Sequence, residues 1–444
     1  MERHTKKTKK IVEEDDTYKN DKTKPEINQT KYLLYSIFVI IFLVISSYYT
    51  LYKPDYGNII VNAQPLSEPT NMYAVIIDAG STGSRVLAFA FQKTPGNYLE
   101  LKNEIFVEVK PGLCSFADNP TKAATSINEL LTKAIDFVPE QYRENTPLIM
   151  RATAGLRLLP VAISDEILNE VKTLFKGSPF RTNENSVGIM DGIDEGLFSW
   201  FTVNFLLNHL NHDVTNTVAA LDLGGGSLQI TFLPTNCDKI NQDFIIERPI
   251  MNKRVNLYSH SYLGLGLMAA RKSVFTIDSD SLNVTSPCVQ EAAKEIPFKF
   301  SQNIYRVTGA SSKEDLAIDY QQCKNIIETV VKNIHIDKPE DFLKQKIVAF
   351  SYFYGKAKDA GLIGIEGGDV TINLYYEAAK RVCSDRTYDE LNPFKCLDLI
   401  YISVLLEQGF GLPVETTVSL MKTVKGCEIS WALGAAYHIL QNGL

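Results

Sequence analysis

Apolar and polar positions along this chain of 444 residues alternate between two periods. Short apolar runs bounded by turn residues predict strands, and runs with apolar residues every third or fourth position predict helices. From Asn71 onward the pattern predicts strands at 73–77, 85–92 and 103–109, a turn at Pro111-Gly112 and a helix at 121–136. A buried strand at Pro147–Thr153, a helix at Asp165–Phe175, a short strand at Val187–Met190 and a helix at Ile193–Leu207 follow. The order then begins again, with strands at 217–221 and 229–233. Residues 236–310, including Ser259–Ala270, are less regular. Helical spacing returns at 322–334, 373–382 and 395–407, a strand is predicted at Ile347–Phe353, and the chain ends in a helix at Glu428–Leu440. This repetition predicts a duplicated α/β unit whose ligands lie at the strand carboxyl ends.

The first seventy residues follow neither period. Residues 1–31 are polar and rich in charge, which predicts a disordered cytoplasmic tail. Tyr32–Tyr52 is about 21 residues without a formal charge, long enough as a helix for a hydrocarbon core of about 30 Å. Lys19, Lys22, Lys24 and Lys31 precede it and Lys53 alone follows closely, which predicts a signal anchor with a cytoplasmic N-terminus. The rest is then lumenal or extracellular, a type II arrangement, with residues 53–70 as a proline-containing stalk. A cleaved signal sequence is the rival reading, but the stretch lies far from the N-terminus and lacks a clear small-x-small exit.

Composition narrows the classes. With 45% hydrophobic and 22% charged residues the chain is globular, and its length predicts two lobes. A formal charge of −7 argues against a nucleic-acid partner, and no obligate protein partner is evident. Seven cysteines without a CxxC pair, beside six histidines, do not suggest a zinc site. In an oxidising lumen some pair; proximity along the chain points to Cys288 with Cys323 and Cys383 with Cys396. The odd count leaves Cys114, Cys237 and Cys427 as candidates for free thiols. Asn283-Val-Thr285 is a glycosylation sequon on the predicted lumenal side.

Candidate chemistry lies in two loops. Asp78-Ala-Gly-Ser-Thr-Gly-Ser84 and Asp222-Leu-Gly-Gly-Gly-Ser-Leu228 each join two predicted strands. They read as hairpin turns, or as a pair of phosphate cradles in which glycines let backbone N–H groups converge on an anion. The leading aspartates can hold a divalent cation through water. Arg151-Ala-Thr-Ala-Gly-Leu-Arg157 offers the Thr153 hydroxyl, or simply a helix-starting turn. In Asp191-Gly-Ile-Asp-Glu-Gly196, Glu195 fits either a helix N-terminus, where negative charge is favourable, or a proton acceptor. The small residues of Trp431-Ala-Leu-Gly-Ala-Ala-Tyr-His438 fit close helix packing. Tyr352, Phe353 and Tyr354 fit a nucleobase stack or a core strand.

Taken in order, DAGSTGSR (78–85), KPGLCSFAD (110–118), RATAGLRLLP (151–160), DGIDEG (191–196), LDLGGGSLQITF (221–232) and WALGAAYH (431–438) resemble the apyrase, or ecto-nucleoside triphosphate diphosphohydrolase, family. The likeness runs from about Asn71 to the C-terminus and is greatest to the short secretory-pathway nucleoside diphosphatases. It implies an actin-like (ribonuclease H-like) two-lobed fold, with lobe I at 71–191 and 429–444 and lobe II at 192–428. It implies hydrolysis of the terminal phosphate of UDP or GDP, and more weakly of triphosphates, with Ca²⁺ or Mg²⁺. By position Glu195 matches the general base, Thr153 the hydroxyl that orients water, and Asp78 and Asp222 the carboxylates on the hydrated metal. Ser81, Thr82, Gly83 and Ser84 match the phosphate cradle with Gly224, Gly225, Gly226 and Ser227, and Gln229 lies beside the water. Leu228 departs from the family's hydroxyl residue, putting side-chain help there in doubt, and Cys114 stands where serine is common. Rival readings are a broad surface triphosphatase and an exopolyphosphatase-like hydrolase on the same fold.

Overall fold

The computed structural model describes residues 29–51, 70–94, 98–210, 214–251, 253–311 and 317–444. The predicted tail up to residue 28 and the stalk up to residue 69 lie outside them. The chain divides into Met1–Leu66 and Ser67–Leu444. In the first unit Gln29–Leu51 is a helix whose described side chains, 33–48, include exposed Leu33, Phe38 and Phe42. Among the described residues no helix is long and apolar enough to cross a membrane.

The second unit is built on two sheets of repeated design. Strands β1 (Thr70–Ala79), β2 (Ser84–Lys93), β3 (Leu99–Val109), β4 (Leu148–Ala152) and β5 (Val187–Ile189) form the first. Their order is β3-β2-β1-β4-β5; β2 is antiparallel to both of its neighbours, so β3, β4 and β5 all run in the β1 direction. Then come β6 (Ala219–Leu223), β7 (Ser227–Phe232), β8 (Ile245–Ile250) and β9 (Lys253–Leu263). Strands β10 (Asn283–Ser286), β11 (Ile296–Phe300) and β12 (Asn303–Gly309) make a separate small sheet. Finally β13 (Ile347–Ser351), β14 (Gly368–Thr371) and β15 (Thr417–Leu420) complete the second large sheet, β14-β15-β13-β6-β7-β9-β8. Its middle five, β9-β7-β6-β13-β15, repeat the first sheet's order and directions. The duplicated α/β unit read from the sequence is therefore present, with β8 and β14 added at the edges.

Alternation along each strand sorts residues between cores. Ala74 and Ile76 of β1 join a central apolar cluster, whereas Val75, Ile77 and Ala79 join an outer one. Likewise Ala220 of β6 faces the central cluster while Leu221 and Leu223 enter the second outer core. Helices Gly192–Leu206 and Trp431–Asn442 contribute to the central cluster. A Cβ at Gly434 would stand 2.5 Å from the Phe198 carbonyl oxygen, so glycine lets these helices meet. The small residues of the C-terminal motif are packing residues. One result of the alternation matters below: Asp78 and Asp222 end β1 and β6 on the inner face.

Several predicted boundaries shift. The 347–353 strand stops at Ser351, and Tyr352–Asp359 is a helix. Its aromatic run suggested β structure, but Phe353, Tyr354 and Ala357, at helical spacing, are the buried residues of a helix face. The irregular 236–310 region contains five strands and the helix Leu267–Phe275. The last helix begins at Trp431, with the Ser430 hydroxyl accepting from the Ala432 N–H. Both expected disulfides, Cys288–Cys323 and Cys383–Cys396, are formed, and Cys114, Cys237 and Cys427 are free.

Candidate active site

The two Asp-led loops meet at the inner ends of β1 and β6. A Cβ placed on Gly225 would lie 2.4 Å from Ser81 Oγ and 3.2 Å from Thr82 Cγ2. Only glycine permits that approach. Between the loops opens a cleft of about 690 Å³, lined by Asp78, Ser81, Thr82, Thr153, Glu195 and Asp222. Gly80, Gly224 and Gly225 also border it, and Tyr352 and Tyr354 stand in its wall.

Asp222 is buried; its Oδ1 accepts from Ser351 Oγ at 2.6 Å and its Oδ2 from Ser199 Oγ at 3.4 Å. Ser351 has φ of +58°, a strained setting for a non-glycine residue that aims the hydroxyl at this carboxylate. Burial raises the Asp222 carboxyl to about 6, against the Ser351 hydrogen bond and helped by the nearby Asp78 charge. Asp78 is also raised by burial, an effect opposed by Arg85 and by the Trp431 indole. Arg85 Nη1 lies 3.4 Å from Asp78 Oδ2, and Asp78 Oδ1 is buried without a hydrogen-bond partner.

Glu195 is in the first turn of helix Gly192–Leu206, but it does not cap that helix. Asp191 does, accepting from the Ile193 N–H at 2.7 Å. The Glu195 carboxylate is buried in the cleft wall, where Oε2 accepts from Arg157 and, at 3.2 Å, from Gln229 Nε2. Burial pushes Glu195 up to about 8, opposed by the Arg157 guanidinium and reinforced by Asp222 and Asp78. Gln229 Nε2 also reaches Ser227 Oγ at 2.7 Å and Ser261 Oγ at 2.9 Å, while its Oε1 is buried without a partner. The helix-terminus reading of Glu195 is thus insufficient: three carboxylates converge on one buried space with one arginine beside each end.

Not every predicted cradle residue reaches the cleft. Ser84 is fully buried in β2 on the face of Val86 and Ala88, so its hydroxyl points into the outer core. Gly83 packs toward Glu108 and Gly226 toward Ala154. Neither Ser227 nor Gln229 lines the cleft: Gln229 Nε2 donates to Glu195, and Ser227 Oγ accepts from Gln229 Nε2 at 2.7 Å and Arg157 Nη2 at 3.4 Å. Leu228 faces the opposite way, into the core with Ile230 and Phe232. Its departure from the family hydroxyl therefore leaves the site intact. Leu228→Thr is expected to cost about 2 kcal/mol in chemical denaturation, from lost burial and a stranded hydroxyl, with turnover unchanged.

Sequence reading gave no role to Arg157, although it lies in a quoted motif, nor to Arg85, Ser199, Ser261, Ser351 and Trp431. Arg157 carries a signal in hindsight: it ends the turn that presents Thr153. Ser351 is 129 residues from its partner Asp222, and no local pattern joins them.

The family signature of the GDA1/CD39 (nucleoside phosphatase) family matches residues 65–442. The chain belongs to this family. It is 40% identical to ectonucleoside triphosphate diphosphohydrolase 5 of Gallus gallus, across 86% of this chain and 90% of that protein. It is 38% identical to human nucleoside diphosphate phosphatase ENTPD5, across 84% and 88%. Rattus norvegicus ectonucleoside triphosphate diphosphohydrolase 6 is likewise 38% identical, across 83% and 82%. A solved nucleoside triphosphate hydrolase of Neospora caninum shares the fold, with a TM-score of 0.61 at 14% identity over 84% of this chain and 93% of that one. The GDA1/CD39 signature spans both loops, Thr153, Glu195 and the C-terminal helix, so the cleft belongs to a nucleoside phosphatase.

Proposed function

We propose that this GDA1/CD39 member is a divalent-cation-dependent nucleoside diphosphatase that converts UDP and GDP to the monophosphate and orthophosphate. The observation that carries the reading is the convergence of both Asp-led loops and Glu195 on one buried cleft. Asp78 and Asp222 suit a hydrated cation: both are buried anions at strand ends, and Asp78 Oδ1 has no protein partner. Among the described residues no group of three or more His, Cys, Asp or Glu is set to hold a metal directly, in keeping with water supplying the remaining ligands. Ca²⁺ or Mg²⁺ held there would neutralise phosphate charge as the leaving oxygen departs.

The chain's own groups supply the rest. Backbone N–H groups of the loops at Ser81, Thr82 and Gly225 hold the terminal phosphate for in-line attack, while the Gly224 N–H closes its own loop by donating to the Ser227 carbonyl at 3.0 Å. Glu195 takes one proton from water as its oxygen bonds to phosphorus and the bridging P–O bond breaks. Thr153 Oγ1 orients that water, and Gln229 steadies the Glu195 carboxylate from behind the cleft wall. Arg157 holds the carboxylate in place. Tyr352 and Tyr354 offer a stacking wall for the base; Tyr354 is fixed by donating to the Ile365 carbonyl at 2.6 Å. On this reading residues 71–191 with 429–444 and residues 192–428 are the two lobes. The 32–52 segment anchors the chain, the catalytic unit is lumenal, and exposed Asn283 carries a glycan.

Steady-state phosphate release with UDP, GDP, ADP, ATP and polyphosphate decides the substrate class. UDP and GDP are expected to give kcat/KM at least about 10-fold above ATP, a modest discrimination for one phosphate. Release from polyphosphate alone would overturn the assignment.

A further inference from the structure

Behind the phosphate loop lies a second cavity, of about 310 Å³. It shares Ser81, Thr82 and Met268 with the nucleotide cleft as common wall. The partition is thin. On one side are the Ser81 and Thr82 side chains; on the other are Gly225, which has none, and Met268, whose Cγ lies 3.5 Å from where a Gly225 Cβ would stand and whose Sδ accepts from Arg271 Nη1 at 3.5 Å. Thioethers rotate easily and adapt their packing.

The second cavity is cationic where it leaves the partition. Arg271 borders it, held by a buried carboxylate pairing to Asp398 (Nε–Oδ1 2.7 Å) and lying 4.9 Å over the Phe394 ring. Farther out, Lys299 Nζ donates to the Ser115 carbonyl at 3.3 Å, linking β11 to the turn after β3. Lys299 makes no ion pair among the described residues, so its charge is available to an anion. Cys114, whose Sγ–H donates to the Ser81 carbonyl at 3.3 Å, ties this side of the cavity to the loop.

We propose that this cavity is the exit for orthophosphate. The inference rests on the nucleotide reading above. A terminal phosphate held between the loops lies deepest in the cleft, with the nucleoside monophosphate between it and the tyrosine-lined mouth. Once the P–O bond breaks, the inorganic product is next to the partition. Displacement of Met268 from Gly225 opens a path toward Arg271 and Lys299, and parting of the Lys299–Ser115 link opens the outer end. Lys299, whose charge no carboxylate among the described residues neutralises, draws an anion outward from three carboxylates, while the charge of Arg271 is already met by Asp398.

The test uses the full chain, with cleavage of UDP followed by acid quench and free phosphate followed by a fluorescent phosphate-binding sensor, both in a single turnover. Lys299→Glu is expected to cleave at the wild-type rate while free phosphate lags by roughly fivefold. Ser115→Trp, which fills the outer end, is expected to lag more, and Lys299→Arg to restore the wild-type course. Free phosphate appearing in step with cleavage in both blocking variants overturns the route. So does slowing of cleavage and release together, because the cavity would then shape the active site rather than drain it. If the wild-type protein cleaves no nucleotide at all, the nucleotidase reading fails instead.

Discussion

Glu195→Gln is expected to lower metal-supported phosphate release from UDP by at least about 10³-fold, with KM little changed. Gln keeps the shape and can still meet Arg157 and Gln229, but it cannot accept a proton. The same change has a second, opposite consequence. Folding places Glu195 where burial and the Asp78 and Asp222 charges raise its carboxyl to about 8, against an ordinary 4.5. Between those values the native state binds a proton that the unfolded chain does not. Its contribution to stability is therefore fully present below the unfolded value and is lost as pH rises through the folded one. Metal-free wild-type protein is expected to lose on the order of 3 kcal/mol between pH 5 and 8 from this group. Glu195→Gln removes that slope. Thermal melts of both proteins across that range, in chelator, check it: a variant with lower Tm at pH 8 and an unchanged slope would show that Glu195 is not held against its ionisation. A catalytic group that destabilises its own fold is a common trade at active sites.

Stripping divalent cation with a chelator is expected to lower turnover by at least about 10³-fold, with full recovery on adding Ca²⁺ or Mg²⁺. The cause is charge. Asp78, Asp222 and Glu195 surround a space that must accept a polyanion, and Arg85 and Arg157 are already engaged with carboxylates. A readout independent of catalysis is the melting temperature, which rises with ligand concentration when the native state alone binds. Cation is expected to raise Tm in the wild type and much less in Asp222→Asn or Asp78→Asn. Equal rises in all three proteins would place the ion elsewhere.

Much of the fold and part of the site are legible along the chain because their causes are local. Short apolar runs bounded by turn residues mark β1, β2, β6 and β7, and the repeated strand-Asp-Gly loop-strand unit marks both halves. Apolar spacing marks the helix Gly192–Leu206, whereas the aromatic run Tyr352–Tyr354 reads as the end of a strand and is the start of a helix. Proximity along the chain also picked out the cysteine pairs Cys288–Cys323 and Cys383–Cys396. Ser84 shows the limit. Its type and place suit a phosphate cradle, yet strand alternation turns it into the outer core, and the same alternation takes Leu228 out of the site while keeping Ser227 and Gln229 in it. That parity is set by which face of each sheet the central core covers, and the core is assembled from residues hundreds of positions apart.

By itself, then, the sequence determined the two Asp-led loops and the acidic turn at Glu195, each encoded within a dozen consecutive residues, and the duplicated α/β plan, because each of its elements carries its own local period. The tertiary structure alone decided that Gly225 lets the loops close on Ser81, that Ser351 and Arg157 reach Asp222 and Glu195, and that a second cavity lies one side chain behind the phosphate cradle. Those contacts join segments far apart in the chain, and they exist only where two sheets of the same design pack on the helices Gly192–Leu206 and Trp431–Asn442 around a shared core.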